Sequence, residues 1–275
     1  MDEVAGTQKL YLFMKYEFLY NMIANDEVKV ILPSECNDPL EFVPYGGIQP
    51  MQNELHGMIC FSLDCKNSAM WGHYADKHKG VCVEFEFPKT RNIVIPNFNG
   101  DGTSHVAYGI QLNVHLTKCC IYWYDGAIPT PSTPVNGEYQ FEALLLPVRY
   151  TTKRALPSPT DYLPISDPQT AKQLGVVIAP HSYTKSEDWA YEKECRFFVR
   201  IVPDTIFHNG CYFVTSLTKY ITRVIIGAKC DMPIPDILRT IENANTRRSV
   251  PLTSLPLLAK ASFNPQDSSY NMTIN

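Results

Sequence analysis

Two aromatic residues, two histidines and two lysines lie close together in residues 70–80, which read MWGHYADKHKG. On a helix, Trp71 and Tyr74 share one face, and Tyr74 and His78 do likewise. An aromatic ring here could stack on a planar ligand, while histidine and lysine could contact a phosphate or a ribose hydroxyl. The same spacing is also typical of a surface helix that packs its aromatic residues into the core. The candidate binding residues of this segment are Trp71, His73, Tyr74, His78 and Lys79.

A second segment, residues 189–196, reads WAYEKECR and leads into an apolar run. Glu192, Glu194 and Arg196 alternate, so they share one face of a strand. One carboxylate of such a pair could act in catalysis while the other orients it, and it could stabilise a positively charged sugar transition state. Glu194 and Glu192 are the candidate catalytic residues, with Trp189 and Arg196 beside them. A solvated polar face with a weak Glu–Arg pair explains the same pattern.

Two further features of the sequence have more than one explanation. Asn37 and Asp38 precede a proline, which is typical of a turn, and they could also project polar groups into a cleft. Residues 56–82 contain six side chains that could bind zinc. Two of the cysteines fall inside apolar strands, where cysteine usually serves as a small hydrophobic residue, so we expect no metal. The six are His56, Cys60, Cys65, His73, His78 and Cys82.

The composition excludes several classes of protein. The 275 residues carry 24 Lys+Arg and 28 Asp+Glu, a net charge of −4, with 45% hydrophobic residues. Disorder requires low hydrophobicity and high net charge, and general nucleic-acid binding requires a basic surplus. Residues 1–10 are polar and no apolar run approaches the length of a membrane span. Together with nine cysteines and no CxxC, this predicts a cytoplasmic protein with reduced thiols and no membrane contact.

The hydrophobic pattern predicts about eight short strands and three to five helices that do not alternate regularly. This favours an α+β fold with a mixed, largely antiparallel sheet. We expect a single domain over 1–262, an irregular insertion near 97–137 and a polar tail over 263–275. Glycine-rich phosphate-binding loops are absent from the sequence, which excludes Rossmann and P-loop proteins. Helices are predicted over 138–146, over 233–242 and over 68–77, the last with Ser68 as its N-cap and Gly80 ending it. Strands are predicted over 174–179, over 195–202 and over 81–87, the last half-buried and ended by Pro88.

The motifs, in this order, resemble an uncharacterised bacterial and phage family, domain of unknown function 2971. The resemblance extends from residue 10 to about residue 260. The chain departs from the family at Cys195 and Cys36, where aromatic residues are usual. The family's basic residue near the first strand has Lys15 as its nearest candidate. The matching segments are 10–13 (LYLF), 36–41 (CNDPLE), 60–62 (CFS), 70–85 (MWGHYADKHKGVCVEF), 185–196 (KSEDWAYEKECR) and 221–227 (ITRVIIG).

The motif order is also similar to that of ADP-ribosyltransferases, which implies an ADP-ribosyltransferase-like fold and NAD as the substrate. By this analogy Lys15 or Tyr16 stands on the first strand, and Ser62 joins Trp71, His73 and Tyr74 in the middle. Glu194 would stabilise the oxocarbenium ion and Glu192 would orient an acceptor, either protein or nucleic acid.

Family members often accompany bacterial conflict and phage-defence genes. This context implies an NAD-consuming defence or toxin effector. The alternative is a non-enzymatic sensor or binding module that recognises a nucleotide or a protein partner. A metal-dependent hydrolase or nuclease is the remaining alternative, and a two-metal nuclease is disfavoured because only Asp76 and Glu84 lie near the histidines.

Overall fold

The computed structural model describes residues 6–42, 56–95, 105–114, 121, 138–153, 183–201, 203, 205–266 and 268–275. Within these ranges, no helix is both long and apolar enough to cross a membrane. The helices are α1 (Glu17–Asn25), α2 (Ser68–Tyr74) and α3 (Ile234–Thr246), with short 3-10 helices at Pro33–Glu35, Glu187–Glu192 and Thr218–Tyr220. The strands are β1 (Gly6–Met14), β2 (Glu27–Val30), β3 (His56–Ser62), β4 (Val81–Ile95), β5 (His105–Val114), β6 (Tyr139–Pro147), β7 (Arg149–Thr151), β8 (Thr184–Ser186), β9 (Glu194–Arg200), β10 (Ile206–His208), β11 (Cys211–Thr215), β12 (Ile221–Ile226), β13 (Leu257–Ser262) and β14 (Thr273–Ile274).

Six strands form a closed antiparallel ring. They follow the order β1-β3-β9-β6-β5-β4, and β4 returns to pair with β1. The sheet continues outward from β4 through β12 to β13 and β14, and the β12–β13 pair is parallel. The predicted α+β class with a mixed, largely antiparallel sheet is therefore confirmed.

Alternate residues of the ring strands fill its interior. Phe61, Phe85, Phe87 and Phe197 meet there, mostly edge to face, with centroids 5.3–6.0 Å apart. Because successive side chains of a strand point to opposite faces, the neighbours of these phenylalanines point out of the ring. The outer face of β1, β3 and β9 carries apolar residues of two further clusters, among them Phe13, Met58 and Phe198, and also the polar residues Ser62, Glu194 and Arg196.

The predicted helix over 138–146 is wrong, because these residues form strand β6 between β5 and β9. Phe141, Ala143 and Leu145 point into the ring, while Leu144 and Leu146 are buried on the other face. A strand that is buried on both faces has a nearly continuous apolar sequence. Such a run cannot be distinguished from a buried helix by its periodicity.

Pro88 does not end the strand that it was expected to end. Strand β4 continues to Ile95, since β12 pairs with it up to Phe85 and β5 pairs with it from Lys89 onward. On that edge of β4, Pro88 falls between the two partners, so its missing backbone N–H interrupts neither the β12 nor the β5 ladder; on the other edge Pro88 lies opposite Thr7 of β1. The expected half-buried pattern is also wrong, since Cys82 and Glu84 are buried as well.

Helix α2 is shorter than predicted. The side chain of Asn67, rather than Ser68, caps it by accepting a hydrogen bond from the Ala69 N–H. After Tyr74 the chain leaves the helix, and Asp76, Lys77 and His78 all have positive φ angles. Tyr74 and His78 therefore do not share a helix face.

Replacing Gly80 and Gly72 with alanine should have opposite effects on stability. A Cβ at Gly80 would lie 2.2 Å from the Met14 carbonyl oxygen, whereas at Gly72, inside α2, the nearest atom is 3.9 Å away. We expect Gly80→Ala to cost about 1–3 kcal/mol, because a backbone must move. Gly72→Ala should add about 0.5–1 kcal/mol, because alanine favours the helix. Urea unfolding of both variants tests this, and equal effects would contradict it.

Other expected segments have mixed outcomes. The strand–helix opening, the strands near β2, β3, β9, β11 and β12, and the helix at α3 are confirmed. Within the expected insertion, β5 is an integral strand of the ring, and most of the rest of 97–137 lies outside the described residues. The predicted strand over 174–179 also lies outside them. In the polar tail, Met272 is buried and β14 pairs with β13.

Candidate functional site

A cleft of about 360 Å³ opens on the outer face of the ring, beside the junction of β1 and β3. Strand β1 pairs with β4 along all of Gly6–Met14, but its described register with β3 is the single pair Tyr11 and Ser62. The two strands separate on either side of this pair. The cleft is lined by Tyr11, Leu12, Phe13, Ile31, Glu35, Cys36, Asn37, Glu41, Cys60, Phe61, Ser62, Met70, His73, Tyr74, Lys185, Glu192, Glu194 and Arg196.

Five charged side chains form the floor of the cleft, and each is less than 9% exposed. The Lys185 Nζ atom lies 2.6 Å from Glu192 Oε2 and 3.4 Å from carboxylate oxygens of both Glu194 and Glu41. Arg196 donates to both oxygens of Glu194, at 2.7 and 2.9 Å, and also to Glu41. We call these five residues the charge cluster. Its members hold one another, as buried charges require.

The surroundings of the charge cluster shift the pKa values of its members. Burial would raise the pKa of Glu194, but the adjacent Arg196 and Lys185 outweigh it and lower that pKa to about 2. Burial opposes the charge of Lys185, yet the three carboxylates raise its pKa above the ordinary value. Both groups are therefore charged at neutral pH.

Glu192 has a different environment from Glu194. The Tyr74 hydroxyl donates to its Oε1 atom, and the Asn37 amide donates to the Tyr74 oxygen at 3.1 Å. Burial raises the pKa of Glu192, and Lys185 and Tyr74 offset only part of this effect. Ser62 holds the backbone by donating to the Glu192 carbonyl oxygen at 2.6 Å. Glu192 thus has a greater affinity for a proton than Glu194 has.

A tight turn brings the two glutamates to the same cleft. Glu192 ends the 3-10 helix, and Glu194 begins β9 two residues later. Lys193 between them has a φ angle of 44°, which reverses the chain, and points away to pair with Asp64 at 2.8 Å. Glu192 and Glu194 therefore do not alternate along one strand as expected, but the turn still places both carboxylates in the cleft.

Seven of the fourteen candidate residues line the cleft. Two segments that are far apart in the sequence, one around α2 and one at the start of β9, meet there. The ADP-ribosyltransferase analogy requires residues of both segments in one site. The seven are Asn37, Ser62, His73, Tyr74, Glu192, Glu194 and Arg196.

Trp71 and Trp189 lie outside the lining. Trp71 is fully buried, edge-on to Phe13 at 5.2 Å, and its indole N–H donates to the Cys65 carbonyl oxygen at 2.7 Å. For Trp71, the alternative that its aromatic ring packs into the core is therefore correct. The Trp189 ring lies 4.9 Å from the Lys185 Nζ atom and covers the charge cluster from outside.

The remaining candidates lie elsewhere. Lys15 is exposed beside Glu17, and the Tyr16 hydroxyl donates to Thr240. Asp38 accepts from the Leu40 N–H, as a turn residue does. His78 packs against Phe263, and Lys79 is exposed. The structure therefore does not bring Lys15, Tyr16, Asp38, His78 or Lys79 to the cleft.

Sequence reasoning missed Glu41, Lys185 and Tyr11. Glu41 ends the segment CNDPLE and Lys185 begins the segment KSEDWAYEKECR, so both stood in quoted motifs without an assigned role. Both are buried, and a charged residue is almost never buried unless it is paired. Their burial was the missing signal, and only the fold reveals it.

The possible zinc ligands are spread over different environments. Cys65 and Cys82 pack with Trp71 in one apolar cluster, whereas Cys60 lines the cleft. Burial raises the pKa of the Cys60 and Cys82 thiols, which disfavours thiolates. Among the described residues, no three His, Cys, Asp or Glu side chains are arranged to hold a metal ion.

Acid should weaken the fold partly through Glu194. Its folded pKa of about 2 lies below the ordinary 4.5, so its ion pairs stabilise the protein above pH 4.5 and are lost as the pH falls toward 2. Glu192, whose pKa is raised, acts in the opposite sense. We expect Glu194→Gln to flatten the pH dependence of the unfolding free energy in this range, and the exposed Glu187→Gln to leave it unchanged. Urea titrations across this range measure it, and an unaltered slope in Glu194→Gln would contradict the expectation.

The fold and the cleft together define an α+β protein whose antiparallel ring carries a polar cleft with a buried charge cluster. Residues 70–197 match the family model described as "Protein of unknown function (DUF2971)", so this part of the chain is similar to that family. The matched region contains most of α2 and the start of β9, and thus Tyr74, Glu192 and Arg196. No curated protein and no solved structure matches the chain.

Proposed function

We propose that the cleft binds a nucleotide of the NAD class and breaks its nicotinamide–ribose bond, in a cytoplasmic defence or toxin effector. The observation that carries this proposal is the placement of Glu192. Its carboxylate lies at the floor of the cleft, beside the ring of Tyr74, and has a raised pKa. A carboxylate fixed in a water-poor site stabilises positive charge that develops on a sugar.

The environments of the two glutamates suggest that their roles are exchanged relative to the ADP-ribosyltransferase analogy. Arg196 engages both oxygens of Glu194. The guanidinium group largely neutralises the negative charge of a carboxylate held in this way. Such a carboxylate positions its neighbours but contributes little to the binding of a cationic ligand. Glu192 bonds to the neutral Tyr74 hydroxyl on one oxygen and to Lys185 on the other. We therefore assign the reacting carboxylate to Glu192 and a positioning role to Glu194.

The proposed step balances without a further cofactor. The bond between ribose C1′ and the nicotinamide nitrogen breaks, and its electron pair leaves with nicotinamide, which becomes neutral. Water, or a hydroxyl or amine of an acceptor, forms the new bond to C1′. Glu192 accepts the proton that this nucleophile loses. The acceptor, whether protein or nucleic acid, decides between hydrolysis and ADP-ribosyl transfer.

Nicotinamide release from NAD by the purified protein, with and without cell extract, tests the proposal. We expect Glu192→Gln to lower the rate at least about 100-fold, as loss of an acid–base group does. Glu187→Gln on the same 3-10 helix is the matched control and should keep the rate. Absence of both nicotinamide release and a modified target would overturn the proposal, as would an unchanged rate in Glu192→Gln.

The second candidate is a non-enzymatic sensor that binds a nucleotide or a protein partner. It is favoured by the hydrogen bonding of the charge cluster, in which Glu41, Glu192 and Glu194 all have protein partners. A satisfied, preorganised cleft can bind without reacting. Calorimetry distinguishes the two, because a sensor would bind NAD or its partner while releasing no nicotinamide.

A further inference from the structure

We propose that the cleft selects a ligand that carries a positive charge, and that Glu41 supplies the surplus negative charge that selects it. This inference rests on the proposed nucleotide-binding function and deepens it by naming the chemical form of the ligand. For a nicotinamide ligand, the favoured form is the cationic pyridinium ring rather than a neutral ring.

The first argument is the charge count of the cluster. Three carboxylates, those of Glu41, Glu192 and Glu194, lie at ion-pair distances from only two cations of the cluster, Lys185 and Arg196. One negative charge is left in surplus. All five side chains are at most 7% exposed, so water does little to screen that surplus. A cationic ligand would neutralise it.

The charged groups around the cluster are already balanced. Glu35 at the rim pairs with Lys29 at 2.8 Å, and Asp64 pairs with Lys193 at 2.8 Å. Beyond Tyr11, a second group joins two carboxylates to two cations. That group consists of Glu84, Glu86, Lys9 and Arg223. Among the residues that the structure describes, these ion pairs therefore do not neutralise the surplus negative charge on the floor of the cleft.

The walls of the cleft suit a cation for a second, independent reason. Tyr11, Tyr74 and His73 line the opening above the charge cluster. Burial raises the pKa of both tyrosines, so their rings are neutral phenols that add no charge. The faces of such rings attract cations and stack on flat ligands. An acidic floor below aromatic walls is the arrangement that a flat organic cation requires.

The experiment compares two ligands with the same ring and different charge. The cation is 1-methylnicotinamide and the neutral ligand is nicotinamide, each titrated into the full chain by calorimetry. We expect the cation to bind at least about tenfold more tightly. Glu41→Gln removes the surplus charge and should reduce this preference to about threefold or less. Glu86→Gln, which removes an equal charge away from the cleft, is the matched control and should keep the preference.

Each outcome decides the inference. Equal binding of the two ligands, binding of neither, or an unchanged preference in folded Glu41→Gln would overturn it. If circular dichroism shows that Glu41→Gln is unfolded, the preference of the unaltered protein for oxidised over reduced NAD becomes the test. If the unaltered protein does not bind oxidised NAD more tightly than reduced NAD, the inference is overturned. A cation preference without nicotinamide release would keep the inference and reject the proposed turnover, whereas turnover without a preference would reject the inference alone.

Discussion

Replacement of Arg196 with methionine is expected to lower the free energy of unfolding by about 3–5 kcal/mol. Arg196 is 1% exposed and bonds to both oxygens of Glu194 and to Glu41. Methionine has a similar length but no charge, so two buried carboxylates would lose their main cation. Lys185 would remain, yet it lies 3.4 Å from each of them and already serves Glu192.

Urea unfolding at neutral pH measures this loss. Arg200→Met is the matched control, since it makes the same replacement at an exposed position of the same strand. The control should change stability by less than about 0.5 kcal/mol. The double variant Arg196→Met/Glu194→Gln should recover part of the loss, because one of the unpaired charges is removed. Similar losses for Arg196→Met and Arg200→Met would contradict the burial and pairing described for the charge cluster.

Truncation of Trp71 to alanine is expected to cost a similar amount, about 3–5 kcal/mol. Its side chain is fully buried, contacts Phe13 edge to face, and donates a hydrogen bond to the Cys65 carbonyl oxygen. Alanine would leave a large cavity and an unsatisfied carbonyl between α2 and the outer face of β1. Because α2 carries Tyr74 and His73 to the cleft, the loss should also weaken ligand binding there.

Thermal and urea unfolding of a graded pair of variants tests this expectation. Trp71→Phe keeps most of the ring volume but removes the N–H donor, so it should cost less than Trp71→Ala and more than about 1 kcal/mol. Trp189→Ala is the comparison at a partly exposed tryptophan, whose contact with Lys185 contributes about 0.5–1 kcal/mol. Equal losses at Trp71 and Trp189 would show that Trp71 is not a core residue.

Parts of the candidate site were predictable because each is local. The turn at Asn37, the short helix with Tyr74 and the paired glutamates all follow from residue types at short spacing. The analogy also placed these segments in one site, and seven candidates do share a cleft. Trp71 does not line the cleft because its side chain points from α2 into the core. His78 does not line it because the helix ends at Tyr74, before His78 is reached.

The errors in the fold have a common physical cause. Periodicity reports which faces of an element are covered, and it identifies a strand only when one face is solvated. Strand β6 is covered on both faces, so its sequence lacks the alternation that marks a strand. Strand β4 does alternate, but its polar Glu84 is buried as well, because Lys9 and Arg223 pair with it. Glu84 and Arg196 are buried on such covered faces because opposite charges pair with them there, whereas their residue types alone predict exposure.

The amino-acid sequence alone was sufficient for the α+β class, for the resemblance to a family of unknown function that the match of residues 70–197 supports, and for the two segments that carry the glutamates and the tyrosine. The tertiary structure alone decided the environment of each carboxylate. Glu41 and Arg196 are 155 residues apart in the chain, and only the fold brings them into contact in the cleft. Burial and partners set the charge of a group, and both depend on which strands become neighbours. The different environments of Glu192 and Glu194, and the surplus charge beside them, are therefore properties of the folded ring.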